Sequence, residues 1–253
     1  MKIGSLIWRF KNYGVAASFK YLYTEKLNKK RFDNSKYAII VSLTDLNNKL
    51  EKLSEDQLSD LDYSAEQVFD KISEKLMILN SKGNKIKESV IGLAGSKTRL
   101  KTIAYILKTF NLDIMIESGT QHGVSALFIE EFIQFTGCSI YSIDIKPNVK
   151  PEGVGLVNYV ILKSPVRKSF KSITRELVNK HSNILFFHDS DHSYENMMFE
   201  FNWAWNELKV DFLISDDVSE NMAFSNFTKH NNLTPYYCKF DSGSVVGFAI
   251  RSQ

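Results

Sequence analysis

Cysteine and proline are scarce: two cysteines and four prolines stand in 253 residues. Cys138 and Cys238 lie far apart with no metal-ligand spacing, which speaks against a thiolate metal site and a disulfide framework. A reducing cytoplasm is the matching compartment. With only twelve glycines beside those prolines, a collagen-like chain or a Pro/Gly-rich disordered one is excluded. No repeat of fixed period and no low-complexity tract occurs. No apolar stretch approaches the ~20 residues that cross a bilayer. The opening "MKIGSLIWRFKNYG" lacks the long apolar core and small-residue cleavage site of a secretory signal.

What is there is an ordinary globular composition, 43% hydrophobic and 24% charged, long enough for one large α/β domain with a helical extension. The net charge of +3 is unevenly spread. Residues 1–36 hold nine Lys/Arg and two acids, whereas the remainder has a balance of −4. That basic start also carries Trp8, Phe10, Tyr13, Phe19, Tyr21 and Tyr23. Such a helix either lies on an anionic membrane surface, here the inner face of the membrane, or packs its aromatic face on the domain or on a second copy in a homo-oligomer. No nucleic-acid-binding motif accompanies the charge, so no nucleic-acid partner is expected.

Residues 37–110 read mainly as helices, with apolar residues at helical spacing in "SEDQLSDLDYSAEQVFDKISEKLMIL" and "KTRLKTIAYILKTF". The pattern then changes. Short apolar runs, "DIMIE", "SIYSIDI", "VNYVILK", "NILFFHD" and "VDFLISDD", alternate with helical segments, and "TPYYCKF" and "SVVGFAI" close the chain as a hairpin. This order predicts a doubly wound, mostly parallel sheet of seven strands with helices on both faces and an antiparallel last strand. Residues 1–97 form the extension and residues 98–253 the domain. Trp203 and Trp205, with Phe199 and Leu208, read as core.

In such sheets ligands bind beyond the carboxyl ends of the strands. The first run ends in "ESGTQHGVS", where Gly119 and Gly123 flank a turn feeding a helix. The loop has neither a phosphate-loop lysine nor the strict dinucleotide spacing. The second run ends in Asp144, either an acceptor for a ribose diol or a turn aspartate; the glycine loop before it favours the ribose. Ser164, after the third run, is an adenine-edge contact or a simple turn serine. The fourth and fifth runs end in "HDSDHSY" and "SDD". Neighbouring strands would bring Asp189, Asp216 and Asp217 together, an oxygen-only set that suits Mg²⁺, Mn²⁺ or Ca²⁺. His192, three residues past Asp189, can take a proton at neutral pH. Asp191 and Ser190 read as caps of the following helix; His188 is given no role, and His122 reads as a surface-loop histidine.

With "ESGTQHGVSALF", "SIDI", "DSDHSYENM" and "SDDV", residues 100–250 resemble class I S-adenosylmethionine-dependent methyltransferases. More narrowly they look like the branch of macrocin and rhamnosyl O-methyltransferases and cephalosporin-hydroxylase-type proteins. The resemblance implies a Rossmann-like methyltransferase fold. It implies that Glu117, Gly119 and Gly123 frame the methionine part of S-adenosylmethionine, with Thr120 and Ser125 in the same loop, and that Asp144 holds the ribose. It implies Asp189, Asp216 and Asp217 as ligands of a divalent cation, Mg²⁺ first, and His192 as general base beside Asp189. The acceptor it implies is a sugar hydroxyl, in polysaccharide biosynthesis, with another small metabolite or a non-catalytic scaffold as the alternatives. Two departures stand out: Gln121 replaces a glycine often found in the loop, and "LKVDFLIS" lacks the usual Pro-Gly-Gly turn.

Overall fold

The computed structural model describes residues 36–81, 86–91, 93, 96–121, 123–132, 137–145, 157–179, 181–241 and 243–251, with Val15 and Phe19. The basic start, apart from Val15, Phe19 and Lys36, and His122 lie outside the described residues.

Among the described residues β1 (Ile39–Ile40) is followed by four helices, α1 (Leu43–Leu50), α2 (Glu55–Ser81), the short α3 (Glu88–Ile91) and α4 (Lys97–Thr109). The sequence dictates these starts. Ser42 caps α1 by accepting the Asp45 N–H at 3.1 Å. Ser54 and Gln57 cap α2 reciprocally, each side chain accepting the other's backbone N–H, the capping-box arrangement. Leu58, Leu61, Ala65, Val68, Phe69, Ile72 and Leu76 then repeat at helical spacing and are all buried, so one stripe of α2 faces the core.

Beyond them run β2 (Ile114–Ser118), α5 (Val124–Phe132), β3 (Ser139–Asp144), β4 (Val157–Ile161), α6 (Val166–Val178), β5 (Ile184–His188), α7 (Tyr194–Asn202), β6 (Phe212–Ser215), α8 (Ala223–His230), β7 (Tyr236–Cys238) and β8 (Val246–Ile250). They form one eight-stranded sheet in the order β1-β7-β8-β6-β5-β2-β3-β4. All pairs are parallel except those of β8, which runs antiparallel to β6 and β7. This is a doubly wound Rossmann-like sheet with the antiparallel last strand that the sequence predicts.

The sequence prediction of seven strands falls one short. The eighth is β1, whose two residues pair with Tyr237 and Cys238; two residues carry no periodicity, and only β7 in place gives them a partner.

Every residue of β2, β5 and β6 is buried, which is why these runs are apolar throughout and not alternating. Their side chains divide between two cores. Met115, Leu185, Phe187 and Ile214 pack with α1, α2, α4 and α5 on one face. Ile114, Ile116, Phe186 and Leu213 pack with α6, α7 and α8 on the other.

Helix α7 ends in a π-helical turn, Trp203–Glu207. There both tryptophans are buried as expected, Trp203 donating to Thr174 Oγ1 of α6 at 2.9 Å and Trp205 meeting the Phe227 ring of α8. Standing two residues apart, they point to nearly opposite sides of the helix, and each packs on a different neighbouring helix. Among the described residues no helix is long and apolar enough to cross a membrane.

Candidate active site

The strand order reverses direction between β2 and β5, the switch point where open α/β sheets bind ligands. A cavity of about 520 Å³ opens there. One side is lined by Gly119, Asp144 and Phe170, the other by Arg99, Asp189, His192 and Asp217.

The first side is built from backbone. β2 and β5 lie so close past their ends that a Cβ on Gly119 would stand 2.1 Å from the Asp189 carbonyl oxygen. Gly119 also sits at φ +104°, where only glycine is unstrained. After it the loop folds over one carboxylate oxygen of Asp144, which accepts the N–H groups of Thr120 at 3.0 Å and Gln121 at 2.9 Å. Gln121, standing where the glycine is often found, adopts a left-handed φ of +44°.

Glu117, Thr120 and Ser125 are buried and do not line the cavity with Gly119 and Asp144. Ser142 donates to Glu117, and Thr120 and Ser142 share a hydrogen bond at 2.7 Å. Burial pushes the Glu117 carboxyl up to about 8, so it is protonated at neutral pH. Gly123, at φ +73°, turns the chain into α5 and is likewise buried. Ser164 is exposed; Leu162 and Val166 on either side of it line the cavity in its place.

The second side is built from charge. β5 and β6 pair in parallel, so Asp189 and Asp216 emerge side by side as the sequence predicts. The guanidinium of Arg99, from the first turn of α4, stands between them: Nη1 is 2.5 Å from Asp216 Oδ2 and 3.4 Å from Asp189 Oδ2. Asp216 is further held on Oδ1 by the Ser244 hydroxyl at 2.6 Å and the Asp217 N–H at 2.9 Å. Asp217, at φ +52°, turns away, its Oδ2 3.4 Å from His192 Nδ1. His192 Nε2 lies 3.7 Å from Asp189 Oδ1 and has no hydrogen-bond partner. In the turn before β6, where Pro-Gly-Gly is missing, Lys209 takes φ +58°, and the aspartate pair keeps its place at the rim.

The protonation states follow from these neighbours. Burial drives the Asp189 carboxyl up to about 7, with Arg99 pulling the other way. Burial also acts on Asp216, but the closer Arg99 holds it below the usual carboxylate range. Burial and His188 lower the His192 imidazole to about 4, so it is neutral at physiological pH. The Asp217 carboxylate stands beside the other ring nitrogen.

Ser193, not Asp191 or Ser190, caps α7, accepting the Asn196 N–H at 3.4 Å. Asp191 instead accepts the Ser193 N–H, and Ser190 donates to Glu200 at 2.9 Å. His188 is fully buried, its Nδ1 2.8 Å from Glu200 Oε2; burial alone would raise the Glu200 carboxyl, but His188 holds it low.

The expected metal ligands do not fit a metal as they are arranged. Among the described residues no group of three or more His, Cys, Asp or Glu is placed to hold an ion, and the charge between Asp189 and Asp216 is already balanced by Arg99. Sequence reasoning missed Arg99 and Glu200. The signal for Arg99 was present: it stands in the first turn of a helix with no acidic residue there, where the macrodipole disfavours a cation.

Residues 116–218 match the family described as a methyltransferase domain, a stretch that runs from β2 to the aspartates of the rim. No curated protein matches the chain. Among solved structures, Podospora anserina methyltransferase PaMTH1, bound to S-adenosylhomocysteine, is 11% identical, with 79% of this chain and 97% of that one covered and a TM-score of 0.48. Aeropyrum pernix fibrillarin, with natively bound S-adenosyl-L-methionine, is 13% identical over 55% of this chain and 66% of that one, with a TM-score of 0.41. These likenesses are distant, and the fold assignment rests on the sheet order given above.

Proposed function

We propose that the protein is an S-adenosylmethionine-dependent O-methyltransferase acting on a sugar hydroxyl. One observation carries the reading: a single cavity at the β2/β5 switch point joins a glycine-loop crevice to a neutral histidine. The family match over residues 116–218 supports methyl transfer; the sugar comes from the resemblance of "DSDHSYENM" and "SDDV" to the sugar-modifying branch. The crevice suits the nucleoside. The Asp144 carboxylate lines the wall where a ribose diol would lie, and Phe170, Leu162 and Val166 supply apolar surface.

S-adenosylmethionine supplies a methyl group already activated on a sulfonium. The protein's part is orientation and one proton. Gly119, the loop after it and Asp144 would hold the cofactor, and Asp189 and His192 on the opposite wall would hold the acceptor hydroxyl next to it; such alignment supplies much of the acceleration. His192 would accept the proton that the acceptor hydroxyl gives up when it takes the methyl group. Asp217, beside Nδ1, stabilises the imidazolium that results, and Asp189 faces it from the other side. Metal assistance, expected from the sequence, has no step here, because the carboxylates are committed to Arg99.

The test is transfer of radiolabelled methyl from S-adenosylmethionine to a panel of monosaccharide and oligosaccharide acceptors. The expected result is label in a sugar ether, falling about 10²–10⁴-fold in His192→Ala. Transfer only to phenolic or polyketide acceptors would replace the sugar with a small metabolite; an undiminished His192→Ala rate would remove the base.

A further inference from the structure

We propose that Arg99 is the built-in cation of this site: it occupies the place between Asp189 and Asp216 that a divalent ion would need, and the protein works without a metal. That this serves methyl transfer rests on the function proposed above; the exclusion of the ion does not.

Converging buried carboxylates need a positive partner, because desolvated like charges repel strongly. Two solutions exist, a bound dication or a side chain. Here the side chain is in place. Arg99 Nη1 reaches both carboxylates. Both Asp216 oxygens are taken, Oδ2 by Arg99 and Oδ1 by Ser244 and the Asp217 N–H, and a carboxylate offers about four lone-pair sites in all. An ion between these aspartates would lie against a guanidinium that cannot lose its charge in a protein. Asp217, which would complete a ligand trio, is turned toward His192.

The placement of Arg99 has no other evident reason. It is in the first turn of α4 against the helix dipole, its side chain is 16% exposed, and its Nε is buried with no partner. A cation put at such cost, lining the cavity beside Asp189 and His192, is explained by the carboxylates it serves. Being permanent, the charge is also independent of pH and of metal supply.

The experiment titrates the full chain with Mn²⁺, followed by electron paramagnetic resonance of the free ion, in wild type, Arg99→Met and Arg99→Lys. Wild type and Arg99→Lys are expected to show no saturable site up to millimolar Mn²⁺, while Arg99→Met, its carboxylates relieved of the cation, binds Mn²⁺ at least tenfold more tightly than wild type. Saturable Mn²⁺ binding by wild type that Asp216→Asn abolishes would overturn the proposal. So would a folded Arg99→Met, checked by circular dichroism, that gains no affinity, since the carboxylates would then be no ion cradle. If Arg99→Met does not fold, the wild-type titration and its Asp216→Asn control decide alone. S-adenosylhomocysteine binding, measured on the same samples, separates the two readings: its absence removes the methyltransferase function and leaves the ion result standing.

Discussion

The two sides of the cavity are held together by different physics. The β2/β3 side is a backbone construction: Gly119 packs against the β5 chain, and loop N–H groups close on Asp144. The β5/β6 side is an ionic construction, in which Arg99 from α4 compensates aspartates that lie 90 and 117 residues further along the chain. A backbone-built wall depends on local sequence and a steric rule; an ion-built wall depends on a partner that only the tertiary fold delivers. The first sets the shape of the crevice and the second sets protonation states, and each should fail in its own way.

The sharpest contrast is predicted on the ionic side. Asp216→Ala leaves Arg99 buried beside a single, more distant carboxylate, and should cost about 3–5 kcal/mol of stability in urea unfolding, toward the lower figure as Asp189 takes over part of the pairing. A loss under about 1 kcal/mol would show that the ionic wall is solvated and weak.

On the backbone side, Gly119→Ala forces a Cβ into the Asp189 carbonyl at a φ that alanine rarely adopts. A destabilisation of about 2–4 kcal/mol is expected, together with loss of S-adenosylhomocysteine binding. An alanine variant that binds normally would mean that β2 and β5 can separate freely at their ends.

The smallest effect lies behind the loop. Glu117 stays protonated in the folded protein up to about 8 but ionises in the unfolded chain near the ordinary carboxylate value. Between those limits the folded state binds the extra proton, so this group's contribution to stability is full below the unfolded value and falls as pH rises. Glu117→Gln removes the dependence. The stability of the variant relative to wild type should therefore grow from pH 5 to pH 7, by at most about 1.4 kcal/mol per pH unit, in urea unfolding at each pH. A flat difference would place Glu117 in a better-solvated setting.

The same contrast explains what could be read from the sequence. Strands β2, β5 and β6 are apolar throughout because both faces are covered, and that pattern is visible in the chain itself. So are the glycine loop, Asp144 and the meeting of Asp189 with Asp216, which follow from parallel pairing of adjacent strands. Arg99 left only a faint trace, a cation against the helix dipole in the first turn of α4, and its partners are visible only once the fold turns that residue over the sheet edge. The cap of α7 was misread for a similar reason: "DSDHS" offers several capping side chains, and only the path of the loop selects Ser193. Strand β1 is too short to carry a pattern at all.

The central claim is that the β2/β5 crevice receives a sulfonium nucleoside, and calorimetric titration of the full chain with S-adenosylhomocysteine tests it most directly. The account predicts saturable binding near one molecule per chain, lost in Gly119→Ala. No binding at millimolar S-adenosylhomocysteine to folded wild type would contradict it.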